Sequence, residues 1–285
     1  MQPLIKPMKN KRRKIDIVVL SDIHLGTRGS RAEEVLKYLK SIEPKNLVLN
    51  GDIVDGWQFK KKYWPVTHTR VLKEILNLAS IGCKVYYLPG NHDESFRRFV
   101  GYRLGNIIVD NKLVLRQDEC KMWFFHGDVF DVTMQHSKWL TRLGSESYDL
   151  LIWLNYQVNR FLVLIGREKI SFSKKIKNEV KSAVKYINKF EEICANIGIA
   201  KNFDYVICGH IHQPEIRFIS NEKGSITYLN SGDWIENLTA LEYSNKNWSI
   251  YYYKSDDYEC KTPDEIIDNK TIFNNMLQEF QLNVI

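Results

Sequence analysis

Leu88-Pro89-Gly90-Asn91-His92-Asp93-Glu94 closes an apolar run, 85–88, with a cluster of polar side chains. A run that ends so abruptly reads as a buried strand. The Gly-Asn-His-Asp tetrad then sits on the loop just past it, where α/β proteins build their sites. Four other segments repeat the pattern: Ser21-Asp22-Ile23-His24, Gly51-Asp52-Ile53-Val54-Asp55, His126-Gly127-Asp128 and Gly209-His210-Ile211-His212. Five such loops at one sheet edge bring their side chains together.

Working outward, the run 15–20 is β-branched and almost wholly apolar, as suits a strand buried on both faces. Asp22 and His24 follow it, two apart and therefore on one side of a locally extended backbone. Residues 31–41 place Val35, Leu36 and Leu39 at helical spacing, 46–49 form a second buried run, and a helix around 71–79 precedes the third. This is βαβαβ, and helical crossovers imply parallel strands. Shorter strands then come at closer spacing, at 106–109, 112–115, 121–125, 205–208, 225–229, 239–243 and 248–253. Two packed sheets are therefore expected, in an α/β fold.

The organisation reads as a basic tail (1–14), a core (15–132 and 201–256), a helical insertion (133–200) and a peripheral C-terminal helix (257–285). Within the insertion, 148–165 are dense in large apolar groups but interrupted by Asp149, Asn155, Gln157, Asn159 and Arg160, so they do not make a transmembrane helix. Ile176, Val180, Val184, Ile187 and Cys194 then form a helical stripe beside Lys177, Lys181, Lys185 and Lys189. The insertion attaches after His126 and before His210, which suggests a cap over the loops. Its lysine row also reads as an ordinary solvated face, the reading favoured for that row alone. The apolar half is read as a binding surface.

Apolar residues make up 44% of the 285 and charged ones 26%, ordinary for a globular protein. The net charge of +7 favours anionic partners: phosphorylated substrates, nucleic acid or an acidic membrane. No basic stretch interleaved with aromatics tracks single strands, so nucleic acid is disfavoured. Five cysteines without a Cys-x-x-Cys pair fit buried free thiols in a reducing compartment. The basic start lacks the apolar core of a secretory signal and reads as a cytoplasmic, solvated tail, with a lipid-headgroup contact as the alternative.

Asp-x-His, Gly-Asp-x-x-Asp, Gly-Asn-His-Asp, His-Gly and Gly-His-x-His, in this order, resemble the calcineurin-like metallophosphoesterases, which are two-metal phosphate-ester hydrolases. Each motif alone is weak, but the ordered set is highly specific, and five of the seven histidines fall on it. The other two, His68 and His136, are left unassigned, with surface or cap packing favoured. The resemblance implies a metallophosphoesterase-type four-layer αββα sandwich with a helical cap insertion. Carried over by motif, Asp22, His24, Asp52 and His212 would hold one metal, and Asp52, Asn91, His126 and His210 the other, with Asp52 shared. Nitrogen and oxygen donors without thiolate suit manganese, iron or zinc; the resemblance favours Mn2+. It also makes His92 the proton donor to the leaving oxygen, oriented by Asp55. Asp128 is read either as a hydrogen-bond partner behind the ligands or as a turn residue.

The stretch from Gly51 to Trp57 and the long insertion are similar to the UDP-2,3-diacylglucosamine pyrophosphohydrolase branch. Its members cleave a nucleotide-lipid diphosphate to UMP and an acylated sugar phosphate on the route to lipid A. This implies substrate contacts from Trp57, Asn91, His92 and His210, and peripheral binding at the cytoplasmic face of the inner membrane. The chain departs from that branch in carrying His92 where its well-known enzyme has Arg, and in the residues that follow His126.

Overall fold

The computed structural model describes residues 12–56, 63–130 and 173–255, apart from the side chains of 173–184. Trp57, His136, the apolar half of the insertion at 148–165, Cys260 and the expected C-terminal helix lie outside the described residues.

Seven strands form the first sheet: β1 (Arg13–Leu20), β2 (Ile42–Asn50), β3 (Lys84–Leu88), β4 (Arg103–Leu104), β5 (Ile107–Val109), β11 (Thr239–Ser244) and β12 (Asn247–Tyr252), in the order β12-β11-β1-β2-β3-β5-β4. Strands β1, β2, β3 and β5 run parallel. The second sheet joins β6 (Leu113–Gln117), β7 (Cys120–Phe124), β8 (Tyr205–Cys208), β9 (Glu215–Asn221) and β10 (Gly224–Asn230) in the order β6-β7-β8-β10-β9, with β7, β8 and β10 parallel. Helices α1 (Ala32–Ser41) and α2 (Val66–Ser80) cross between the parallel strands of the first sheet, and α3 (Ser173–Ala200) precedes β8.

Three apolar clusters separate four layers, and strand alternation sorts the side chains between them. On β1 and β2, Val18, Leu20, Leu47 and Leu49 point outward under Val35 and Leu39 of α1 and Val71 and Ile75 of α2. Ile17, Val19 and Val48 point inward, against Met122, Phe124, Ile207 and Leu229 of the second sheet. On that sheet's far face Val206, Cys208, Ile226 and Tyr228 pack under Phe190, Cys194 and Ile199 of α3. The αββα sandwich is therefore observed. The C-terminal half of α3, expected as cap, is an outer layer of the sandwich, because its apolar stripe covers the second sheet; Lys185 and Lys189 are exposed, as a solvated face would be.

Three other expectations are corrected. Residues 12–14 do not belong to a tail: Arg13 and Lys14 are in β1, and the Arg13 guanidinium forks onto Glu242 at 2.8 and 2.9 Å and lies over the Tyr251 ring. Arg12 likewise pairs with Glu74 at 2.8 Å. Strand β9 was not anticipated, since an edge strand with mixed exposed positions, Glu215-Ile216-Arg217-Phe218, presents no apolar run. His68 is neither on the surface nor against a cap. It is buried under the loop after β1, where its Nδ1 accepts the Gly26 N–H at 2.9 Å, and burial lowers its pKa.

Glu242 shows how one buried charge ties this half together. It accepts the Tyr38 hydroxyl of α1 at 2.8 Å as well as both arms of Arg13. Arg13→Ala is expected to cost about 1–2 kcal/mol, the half-exposed guanidinium being discounted for screening. That corresponds to a fall in Tm of about 3–6 °C. Calorimetry checks it, and a variant that melts with the parent would show that the fork is idle.

Candidate metal centre

Parallel strands end at a common edge, so the loops after β1, β2 and β3 rise beside each other, as do those after β7, β8 and β10. Backbone bonds extend the pairing beyond the strands. The Asp22 N–H donates to Gly51 O (3.0 Å), the His24 N–H to Asp52 O (2.9 Å) and the Gly209 N–H to His126 O (2.9 Å). Asp22 Oδ2 accepts the His210 N–H at 3.1 Å, joining the two sheets.

The backbone at Asp22 and His24 is not extended, as expected from their spacing, but left-handed. Asp22, His24, Asp52, His210 and His212 all have φ between 50° and 69°. Each such residue costs on the order of 1 kcal/mol, a strain characteristic of sites whose side chains must be aimed. Glycine clears the remaining space: a Cβ on Gly90 would lie 2.6 Å from His126 Nε2, inside the imidazole's contact radius.

The aimed side chains converge. Asp22 Oδ1 lies 3.0 Å from His212 Nε2. Asp52 Oδ2 is 3.4 Å from His126 Nε2 and 4.0 Å from His24 Nε2. Asp55 Oδ2 is 3.0 Å from His92 Nδ1 and 3.6 Å from His24 Nδ1. Three overlapping groups, Asp22-His24-His212, Asp22-Asp52-His126 and His24-Asp55-His92, have donor atoms all within 4.8 Å of one another. The His210 ring stands edge-on to His126 at 5.2 Å and 6.3 Å from Phe190 of α3. Of the residues expected at the site, only Trp57 escapes description.

His24 Nε2, Asn91 Oδ1 and His126 Nε2 are all buried without a hydrogen-bond partner. Such atoms are costly unless something absent from the polypeptide satisfies them. His126 is already fixed from behind, its Nδ1–H donating to Asn50 O at 2.8 Å, which leaves the Nε2 lone pair facing inward. The electrostatics agree. Burial alone would raise the pKa of Asp52 and lower that of His126, but each offsets the other's penalty: the carboxyl is held far below its usual range and the imidazole pushed up to about 10. His212 is likewise pushed up to about 9, against the cost of burial, chiefly by Asp22. The carboxylates demand positive charge at this spot, and the donor set fits divalent cations.

Sequence reading missed the groups that hold the loops rather than face the centre. Asp93 is buried and accepts N–H bonds from Ile53 (3.0 Å), Asp52 (3.3 Å) and Gly90 (2.6 Å), and the Tyr87 hydroxyl at 2.5 Å. Its position in the quoted tetrad was the only signal. Asp233 accepts the N–H groups of Ile235 and Glu236, while Asn237 donates to the carbonyl of His212 at 2.8 Å. Asp128 starts a short 3-10 turn, Asp128–Phe130, and pairs with Arg97 at 2.6 Å.

Residues 15–214 match the family described as calcineurin-like phosphoesterase. The chain belongs to this family. A calcineurin-like phosphoesterase is a metal-dependent phosphoester hydrolase, which accounts for the buried donors. The chain is 25% identical over 246 residues to a UDP-2,3-diacylglucosamine hydrolase of Aliivibrio fischeri, covering 82% of this chain and 97% of that protein. It is 24% identical over 267 residues to one of Blochmanniella pennsylvanica, covering 86% and 98%. A solved dimetal phosphatase of Danio rerio is similar at 11% identity and a TM-score of 0.41, covering 84% and 98%.

For this phosphoesterase, Asp93→Asn is expected to loosen both loops, because an amide cannot accept from every donor that surrounds Asp93. We expect a loss of about 2 kcal/mol in stability together with lower metal content after dialysis, read by calorimetry and elemental analysis. Full metal retention would show that the loops hold without that charge.

Proposed function

We propose that the chain binds two divalent cations, Mn2+ first among them, and cleaves the diphosphate of a nucleotide-lipid. UDP-2,3-diacylglucosamine would be split to UMP and an acylated sugar 1-phosphate. The observation that carries the two-metal reading is the set of buried donor atoms without partners, on loops from both sheets. In this assignment Asp22, His24, Asp52 and His212 hold one cation, Asp52, Asn91, His126 and His210 the other. The substrate reading is supported by the names of the relatives and by the insertion before α3, whose apolar residues would take the acyl chains.

When bound, the cations supply a nucleophile at neutral pH and neutralise the phosphoryl oxygens. The polypeptide does the rest. Asp52 is fixed by the His92 N–H, which donates to its Oδ1 at 2.8 Å, so Oδ2 is free to face inward. Asp55 holds His92 through Nδ1 at 3.0 Å, and the proton for the departing oxygen would come from Nε2. The raised pKa of His92 favours the protonated imidazole; burial opposes it, but the bond to Asp55 and the charge of Asp52 prevail. Among the described residues no helix is long and apolar enough to cross a membrane. Access to a lipid would be peripheral, at the cytoplasmic face of the inner membrane.

Purified protein with Mn2+ is expected to release UMP from UDP-2,3-diacylglucosamine at least about tenfold faster than from the deacylated UDP-sugar, equal rates being fatal to the lipid reading. His92→Ala should cost about 10²–10⁴-fold on a phosphodiester with a poor, alkoxide leaving group and far less on bis(p-nitrophenyl) phosphate, whose leaving group needs no proton. Equal losses on the two would remove His92 from the acid role.

A further inference from the structure

A cavity of about 640 Å3, lined by residues that follow His24 and His212 in the chain and by the start of α2, is left unused by the roles above. Its walls grow out of the site's own loops. Arg28 and Ser30 continue the loop that carries His24, where Thr27 donates its hydroxyl to the His24 carbonyl at 2.9 Å. Ile235 and Glu236 belong to the turn pinned by Asp233, whose Asn237 bonds the His212 carbonyl. Tyr63 and the start of α2 close the third side. The cavity therefore shares its walls with the loops that aim His24 and His212.

The lining is mixed in a way that selects a ligand class. Arg28 lies over the Tyr63 ring at 5.5 Å, a cationic and aromatic pair of the kind on which planar bases stack. Glu33 and Glu236 are exposed carboxylates on the rim, acceptors suited to vicinal hydroxyls and poorly suited to a second phosphate. Helix α1 opens here with no side-chain cap, so its first N–H groups remain as donors. An acyl chain would strand these polar groups. A volume of this size lies within the range of small-molecule sites, roughly 300–1,000 Å3.

We propose that this cavity is a subsite for the nucleoside of a nucleoside 5′-phosphate, with the base on the Arg28–Tyr63 pair, the sugar hydroxyls toward Glu33 and Glu236, and the phosphate toward the metal centre. This rests on the phosphodiester reading of the centre but deepens it, fixing which substituent of the phosphate leaves on the His24 and His212 side.

The test is calorimetric titration of the manganese-loaded full-length protein with UMP, ribose 5-phosphate and inorganic phosphate. UMP is expected to bind at least about tenfold more tightly than ribose 5-phosphate, and Tyr63→Ala and Arg28→Ala, each with a parental thermal melt, to bring the ratio down to about one. Uridine without phosphate should still give saturation-transfer NMR signals that Tyr63→Ala abolishes, with or without metal. Equal affinities for UMP and ribose 5-phosphate, or a ratio unmoved by both substitutions, would overturn the proposal. Selective UMP binding in a protein that spares UDP-2,3-diacylglucosamine would sink the lipid reading alone; cleavage of that lipid without nucleoside selectivity would sink the subsite alone.

Discussion

Three carboxylates, Asp22, Asp52 and Asp55, are removed from water within one cluster of loops, all at or below 5% exposure. Burying one charge is expensive and burying three like charges together is worse, unless opposite charge is supplied on the spot. Imidazoles can supply part of it, since the neighbouring carboxylates push the pKa of His126 and His212 above the ordinary range against the cost of burial. Protons are weak substitutes here, because His24 Nε2 and Asn91 Oδ1 gain no hydrogen bond from them. The cluster is built around cations, and the surrounding architecture can be understood as the means of keeping these carboxylates dry and aimed.

Strand polarity is the first of those means. Six parallel strand ends deliver loops to one edge, which antiparallel hairpins of the same length would scatter over two. The second is strain: a left-handed backbone at five motif positions turns the chain sharply enough for side chains two residues apart to reach one centre. Third come groups that never face the centre, Asp93 and Asp233, whose carboxylates gather loop N–H donors. Their charge is spent on the backbone, where it fixes geometry.

How much of this was legible in the sequence follows from what each residue does. Strands buried on both faces announce themselves as apolar runs, so β1, β3 and β8 were found near their true bounds, and the motif residues were found because their side chains carry the chemistry. Edge strand β9 has no buried face to advertise. Asp93 and Asn50 act on backbone groups distant in sequence, and no local pattern encodes that. The charges of Arg12 and Arg13 look solvated in a list of basic residues; only the folded partner, Glu242 or Glu74, reveals them as structural. Asp22 and His24 were placed together correctly for the wrong local reason, since a spacing of two puts side chains on one side of an extended chain, and here a turn in the left-handed region does the same.

The centre also belongs to both sheets at once. Asp22, His24, Asp52 and Asn91 come from the first sheet, His126, His210 and His212 from the second, and polar contacts cross beside them: Asn50 donates to Phe125 O at 3.1 Å and accepts from His126 at 2.8 Å, Ser21 pairs with Ser231 at 2.6 Å, and Asp22 accepts from His210. Cations held in common would therefore bind the folded sandwich and not the separated sheets, so their binding free energy adds to folding stability, as RT ln(1 + [L]/Kd). At a hundredfold excess over Kd that is about 2.7 kcal/mol, a sizeable share of the 5–15 kcal/mol of an ordinary domain. The strain in five left-handed residues and the burial of three carboxylates then need no compensation from within the polypeptide alone. A fold that takes its last increment of stability from the ions it uses can afford a site that would be unstable without them.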